Sequence, residues 1–162
     1  MKKLVIIRGG KSKLQGDSID DYDRPLTEEG LKEAHDVGKL LLNKGLLPDC
    51  IMSSPAFRAI ETAKIISNEV NYEKTITPNQ YIYEAYVNTL QELVSFIHDD
   101  NDVVFLVGHN PGVSALAYML CELKESIAPC ATVEIDFDCN SWMDVSKNNS
   151  KLISYDFPKI TT

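Results

Sequence analysis

The sequence predicts an α/β fold: a three-layer sandwich with a mainly parallel central sheet and helices on both faces. Three observations carry this. Short apolar runs alternate with amphipathic segments, the order expected of strand–helix–strand units. The run Val103 to Val107 is unbroken in its apolar character, as in a strand buried on both faces at the centre of a sheet. From Ala131 to Phe137 the pattern switches to period two, with Val133, Ile135 and Phe137 on one side and Thr132, Glu134 and Asp136 on the other. The 162 residues are read as one domain, 1–162, with room for a substantial core.

Taken in order, Leu4 to Ile7 is the first strand and the polar segment Lys11 to Asp23, with Gly16, is a loop. Thr27 caps a helix whose opening acids, Glu28 and Glu29, suit the positive end of its dipole. Leu31, Ala34, Val37, Gly38, Leu41 and Leu42 recur at helical spacing, and Gly45 with Pro48 stops that helix. Cys50 to Met52 is the second strand. Ser54 is expected to cap the next helix, with Pro55 at its first position and Phe57, Ile60, Ala63, Ile65 and Ile66 on its apolar face. A short strand is expected near Thr75-Ile76. Thr89-Leu90-Gln91-Glu92 reads as a capping box opening a helix over Leu93 to Ile97. His109 follows the central strand, and Asn110-Pro111 starts another helix. Ala131 to Phe137 and Leu152 to Phe157 read as antiparallel edge strands flanking a hairpin near Trp142.

Composition narrows the function. The net charge of −8 disfavours nucleic acid, and any anion must be held by a local basic pocket. No run approaches the ~18 apolar residues of a membrane span, and the N-terminus lacks a signal-peptide pattern, so a cytoplasmic location is expected. Cys50, Cys121, Cys130 and Cys139 form no C-x-x-C pair and the three histidines are scattered; reduced thiols are expected and a metal site is not.

Ligands of parallel α/β sheets bind beyond the C-terminal ends of the strands. Arg8 follows the first strand, Ser53-Ser54 the second with Arg58 one turn further on, and His109 the central one. Singly, such a histidine is more often a cap or packing residue, and such an arginine a solvated one. Jointly, two guanidiniums and an imidazole on one rim, beside helix N-termini, describe a phosphate pocket.

The chain resembles the SixA type of phosphohistidine phosphatase, a branch of the histidine phosphatase superfamily. The likeness runs through Arg8, Lys11-Ser12, Asp23-Arg24-Pro25-Leu26-Thr27, Gly30, Leu47-Pro48-Asp49, Ser53-Ser54-Pro55 with Arg58 and Thr62-Ala63, Tyr83-Glu84-Ala85, and Val107-Gly108-His109-Asn110-Pro111-Gly112. It implies a phosphoglycerate-mutase-like fold and no metal or other cofactor. It also implies that Arg8 and Arg58 bind phosphoryl oxygens, that His109 holds the phosphoryl group in flight, that Ser12 adds a polar contact, and that Glu84 is the proton donor. A phosphorylated protein or phosphate anion is the implied partner, and a monomer is expected. Only 23 positions separate Ile66 from Thr89, too few for a long lid, so an open site suited to a phosphorylated protein side chain is expected.

The family pattern is Arg-His-Gly or Arg-His-Ala, its histidine being the nucleophile; this chain has Gly9 there. Glycine cannot form a phosphoenzyme. The reading therefore divides between a crippled phosphatase acting on phosphohistidine or phosphomonoesters, a pseudophosphatase that binds without turnover, and a protein whose pocket merely retains phosphate. A rival motif, Gly10-Lys11-Ser12 as the end of a P-loop, fails because Val5 stands where that loop needs glycine.

Overall fold

The structure, a computed structural model, describes residues 1–14 and 19–158. Ten regular elements follow the chain: β1 (Lys2–Arg8), α1 (Glu28–Asn43), β2 (Cys50–Ser53), α2 (Phe57–Glu69), β3 (Thr77–Pro78), α3 (Val87–Ser95), β4 (Val103–Gly108), α4 (Gly112–Cys121), β5 (Thr132–Phe137) and β6 (Ser150–Asp156). They form one six-stranded sheet in the order β3-β2-β4-β1-β5-β6. β3, β2, β4 and β1 are mutually parallel; β5 and β6 are antiparallel to their neighbours.

The layering follows from alternation along buried strands. Leu4 and Ile6 of β1 face a core built with Val104 and Leu106, which α3 and α4 cover through Leu90, Val94, Val113 and Leu116. Val5 and Ile7 face the opposite core, which α1 and α2 cover through Ala34, Val37, Leu41, Ala59, Ala63 and Ile66. Both sides of β1 and β4 are thus apolar, which is why these strands read as continuous hydrophobic runs. Trp142, in the β5–β6 connection, is buried and donates its Nε1–H to the Asn101 carbonyl at 2.7 Å. Lys44, just past α1, donates to Glu134 (3.1 Å) and Asp156 (2.7 Å), tying that helix end to β5 and β6.

Several element boundaries differ from expectation. β5 is not an edge strand; it lies between β1 and β6, because β1 completes its pairing on that side. α3 starts at Val87, not Leu93, which puts Leu90 and Val94 on its buried side; Thr89 lies inside the helix instead of capping it. α2 starts at Phe57, two residues beyond the expected Pro55, and Ser54 does not cap it. Its buried face is Ala59, Thr62, Ala63, Ile66 and Ser67, leaving Phe57 exposed. Leu42 of α1 is also exposed, and β3 falls at Thr77–Pro78 instead of Thr75-Ile76. The four cysteines are unpaired, but Cys130 alone of them is fully buried. Of the expected loop Lys11 to Asp23, residues 15–18 with Gly16 lie outside the described residues, and Asp21–Asp23 forms one short helical turn.

The predicted start and stop of α1 hold. Thr27 Oγ1 accepts from the Gly30 N–H at 3.0 Å, and Gly45 ends the helix at φ +75°. The chain leaving β1 is clipped to this helix start: Thr27 N–H donates to the Lys11 carbonyl (2.9 Å), and Gly10 N–H to Thr62 Oγ1 of α2 (3.0 Å). The approach requires glycine at position 30, since a Cβ there would lie 2.3 Å from the Lys11 carbonyl oxygen. Gly30→Ala is expected to cost about 1–3 kcal/mol of stability in urea or thermal unfolding, as overpacking of a rigid contact does.

Candidate anion site and its relatives

The parallel register fixes the site. Arg8 pairs with Gly108 across β1 and β4, and Gly9 N–H donates to the Gly108 carbonyl at 2.9 Å. Position 9 therefore lies beside the point where β4 hands over to His109. Ser53 pairs with Val107, and Ser54 N–H donates to the Val107 carbonyl (2.9 Å), bringing the end of β2 to the same rim. Arg58 joins them from the first turn of α2.

Arg8, Gly9, Ser12, Arg58 and His109 all line one hollow of about 150 Å3, together with Lys11 and Arg24. That is well below the ~300–1,000 Å3 of pockets for drug-sized ligands, and suits a small anion. It adjoins a cleft of about 490 Å3, with Arg58 and His109 belonging to both; Asp21, Glu84 and the exposed Tyr86 line the cleft. Five of the six expected site residues thus share the hollow. Glu84 stands apart on the cleft wall, exposed and with φ +52°.

The hollow is electrically biased. Arg8 is half-buried, and among the described residues its guanidinium donates to one carbonyl, that of Ile127 (3.0 Å). Burial and the nearby Arg58 lower its pKa from the ordinary value, although a guanidinium stays charged. Arg24 holds Ser12, donating from Nη2 to its hydroxyl at 2.7 Å. His109 Nε2 exchanges a 2.7 Å hydrogen bond with Ser54 Oγ, which also accepts from Ala56 N–H. Burial, then the charge of Arg58, pushes the His109 pKa from 6.5 down to about 4; Arg8 adds to this and Asp21 opposes it. The imidazole is therefore neutral at pH 7 while the hollow holds no anion.

A bound oxyanion reverses the guanidinium part of that shift. The His109 pKa should rise on adding sulfate, whose charge is constant above pH ~3, by roughly one unit or more. Binding then takes up a proton between the free value of about 4 and the raised bound value, so sulfate affinity should climb as pH falls through that window. Imidazole NMR titration with and without sulfate checks both; an unmoved His109 would contradict the geometry.

Three participants have no site role in the sequence reading, although Ser54 and Tyr83 belong to segments it names. Asp21 accepts from Arg58, Arg24 and the Tyr83 hydroxyl. Tyr83 stands edge-on to His109, ring centroids 5.6 Å apart. Ser54, taken for a helix cap, bonds His109 instead. Nothing in local periodicity marks Asp21, which meets Arg58 across 37 positions. Ser54 meets His109 across 55.

The fold and this rim define a class. Residues 4–93 match the profile of the histidine phosphatase superfamily (branch 1), and the chain belongs to that family. Among relatives, an uncharacterised chloroplastic protein of Arabidopsis thaliana is 29% identical over 150 residues, 87% of this chain and 69% of that protein. Among solved structures, the chain from Agrobacterium tumefaciens assigned as the phosphohistidine phosphatase SixA superposes with a TM-score of 0.82 at 21% identity, covering 97% of this chain and 99% of that one. The protein histidine phosphatase SixA complexed with tungstate superposes with a TM-score of 0.81 at 18% identity, covering 96% and 97%. The expected phosphoglycerate-mutase-like α/β architecture is the one these structures share.

Proposed function

We propose that this protein is a SixA-like phosphohistidine phosphatase in which Gly9 has removed the nucleophile, leaving a phosphoryl-binding pocket with crippled hydrolysis. One observation carries the reading: Arg8, Arg58 and His109 surround one small hollow with Gly9 on its wall. Arg8 and Arg58 hold the phosphoryl oxygens through forked N–H donors. His109, which lines the same hollow, supplies a third polar contact and takes up a proton with the anion as pH falls. Ser12 contributes a hydroxyl, and Glu84, on the cleft side, is the proposed proton donor to the leaving group. Charge stabilisation of this kind supports slow attack by water, and a P–N bond with a protonated nitrogen demands less of the nucleophile than a P–O ester does.

The second reading is a pseudophosphatase that binds phosphate or a phosphoprotein without turnover. Gly9 itself favours it, since no side chain at that position can accept the phosphoryl group. A phosphorylated protein side chain suits both readings, because the cleft beside the hollow is rimmed by the exposed Glu84 and Tyr86. The acidic chain favours a partner that is not itself strongly acidic. We also propose a cytoplasmic setting, in keeping with four unpaired cysteines. No helix among the described residues is long and apolar enough to cross a membrane. Hydrolysis of a phosphohistidine protein and of an aryl phosphate, with Gly9 and with Gly9→His, separates the readings. Measurable turnover by the Gly9 protein, lost in Arg58→Ala, makes it a slow enzyme; binding with no turnover makes it a binding module.

A further inference from the structure

The guanidinium assigned to the phosphoryl oxygens already carries an anion from its own chain. Arg58 donates from Nη1 to the Asp21 carbonyl (2.7 Å), and its Nη2 lies 3.3 Å from Asp21 Oδ2. The same Oδ2 accepts from the Tyr83 hydroxyl at 2.6 Å, and Oδ1 accepts from Arg24 Nη1 at 2.8 Å. Three donors from separate parts of the chain thus fix one carboxylate at the junction between the hollow and the cleft, with Tyr83 held against His109. The Tyr83 hydrogen bond, then those from the arginines, holds the Asp21 carboxyl below the usual carboxylate range, so it is ionised at neutral pH.

We propose that Asp21 is a charge-selecting residue. It is an internal anion that weakens the binding of free oxyanions and favours phosphoryl groups attached to a protonated nitrogen. This rests on the phosphoryl-site reading above and adds to it a determinant of specificity. When a phosphoryl group takes the hollow, its oxygens meet Arg58, and the Asp21 carboxylate bonded to that guanidinium stands beside them on the cleft side. Like charges side by side weaken binding unless the ligand brings a positive charge of its own. An inorganic oxyanion or an alkyl or aryl phosphate offers none. A phosphoramidate does, because its nitrogen is cationic when protonated and would face the cleft wall that Asp21 forms. The facing charges are the cations Arg58 and Arg24 and the acid Glu84 across the cleft. Glu84 has the same sign as Asp21 and strengthens the preference.

Calorimetric titration of inorganic phosphate and of phosphoramidate into three proteins tests the idea: the native sequence, Asp21→Asn and Arg58→Ala. Asparagine keeps the backbone carbonyl that holds Arg58 and an oxygen for the Tyr83 hydroxyl, so the segment stays in place; an unchanged melting temperature verifies this. Asp21→Asn should tighten phosphate roughly tenfold, the effect of removing about 1.4 kcal/mol of repulsion. It should change phosphoramidate by less than about threefold, because that ligand loses a favourable contact as well. Unchanged or weakened phosphate binding would overturn the proposal, and equal tightening of both ligands would overturn the selection. Arg58→Ala separates the two levels. If neither the native protein nor Asp21→Asn binds either ligand, the anion-site reading itself fails. If the native protein binds both through Arg58 and Asp21→Asn changes nothing, Asp21 alone is misassigned.

Discussion

Gly9→His is expected to raise hydrolysis of a phosphohistidine protein and of p-nitrophenyl phosphate by ~10³-fold or more. Loss of a nucleophile elsewhere costs ~10⁶ in kcat, while the charge-stabilising remainder of such a site keeps ~10³ over water. The backbone permits the substitution. A Cβ at position 9 would meet the Ala59 Cα at 3.5 Å, the Gly108 carbonyl oxygen at 3.7 Å and the Ala59 Cβ at 3.8 Å, all ordinary contacts. Glycine is required there by neither space nor conformation, in contrast to Gly30. The new imidazole would project from the wall of the hollow that Arg8, Arg58 and His109 share. Free imidazole should partly substitute in the Gly9 protein, with a rate proportional to its concentration. A folded Gly9→His protein that still binds phosphate yet gains no turnover would show that attack from position 9 is not in line with the leaving group.

The elements that were legible in the sequence are those whose signals are local. α1 carries its own cap in Thr27 and its own stop in Gly45, so both ends could be read. β1 and β4 are buried on both faces, so their apolar character is continuous. Thr89 and Glu92 imitate a capping box, whereas the N-cap of α3, Tyr86, makes no side-chain capping bond. What decides that start is the packing of Leu90 and Val94 in the core shared with α4. β5 imitates an edge strand because its alternate face is polar; β1 and β6 pair along its two edges, and Glu134, outward by pattern, is buried against Lys3 and Lys44. The same division runs through the site. Arg8 ends β1, His109 directly follows β4, and Arg58 lies in the first turn of the helix after β2, positions that topology sends to a common rim. Asp21 and Tyr83 reach that rim by tertiary folding alone, and no spacing rule joins them to Arg58.

Arg58→Ala is expected to abolish measurable binding of phosphate or tungstate, a loss of roughly 100-fold or more, as truncating one partner of a desolvated charge pair commonly brings. The magnitude follows from what stays behind. Without the guanidinium, Asp21 remains beside the hollow, pinned by Tyr83 and Arg24, so an attraction is replaced by a repulsion. Arg8 cannot restore the balance, since it enters from the end of β1 and donates to the Ile127 carbonyl. Arg58→Lys should recover only part of the affinity, because an ammonium keeps the charge but cannot fork onto two oxygens. His109 supplies an independent readout. Arg58 is the largest charged contributor to its lowered pKa, so the imidazole should titrate above its native value of about 4 in Arg58→Ala even with no anion present. Double substitution of Arg58→Ala with Asp21→Asn should return that pKa part of the way toward 4, because Asp21 acts in the opposite direction. Retained phosphate affinity in folded Arg58→Ala would mean that the anion is held elsewhere, and the assignment of the hollow would have to be abandoned.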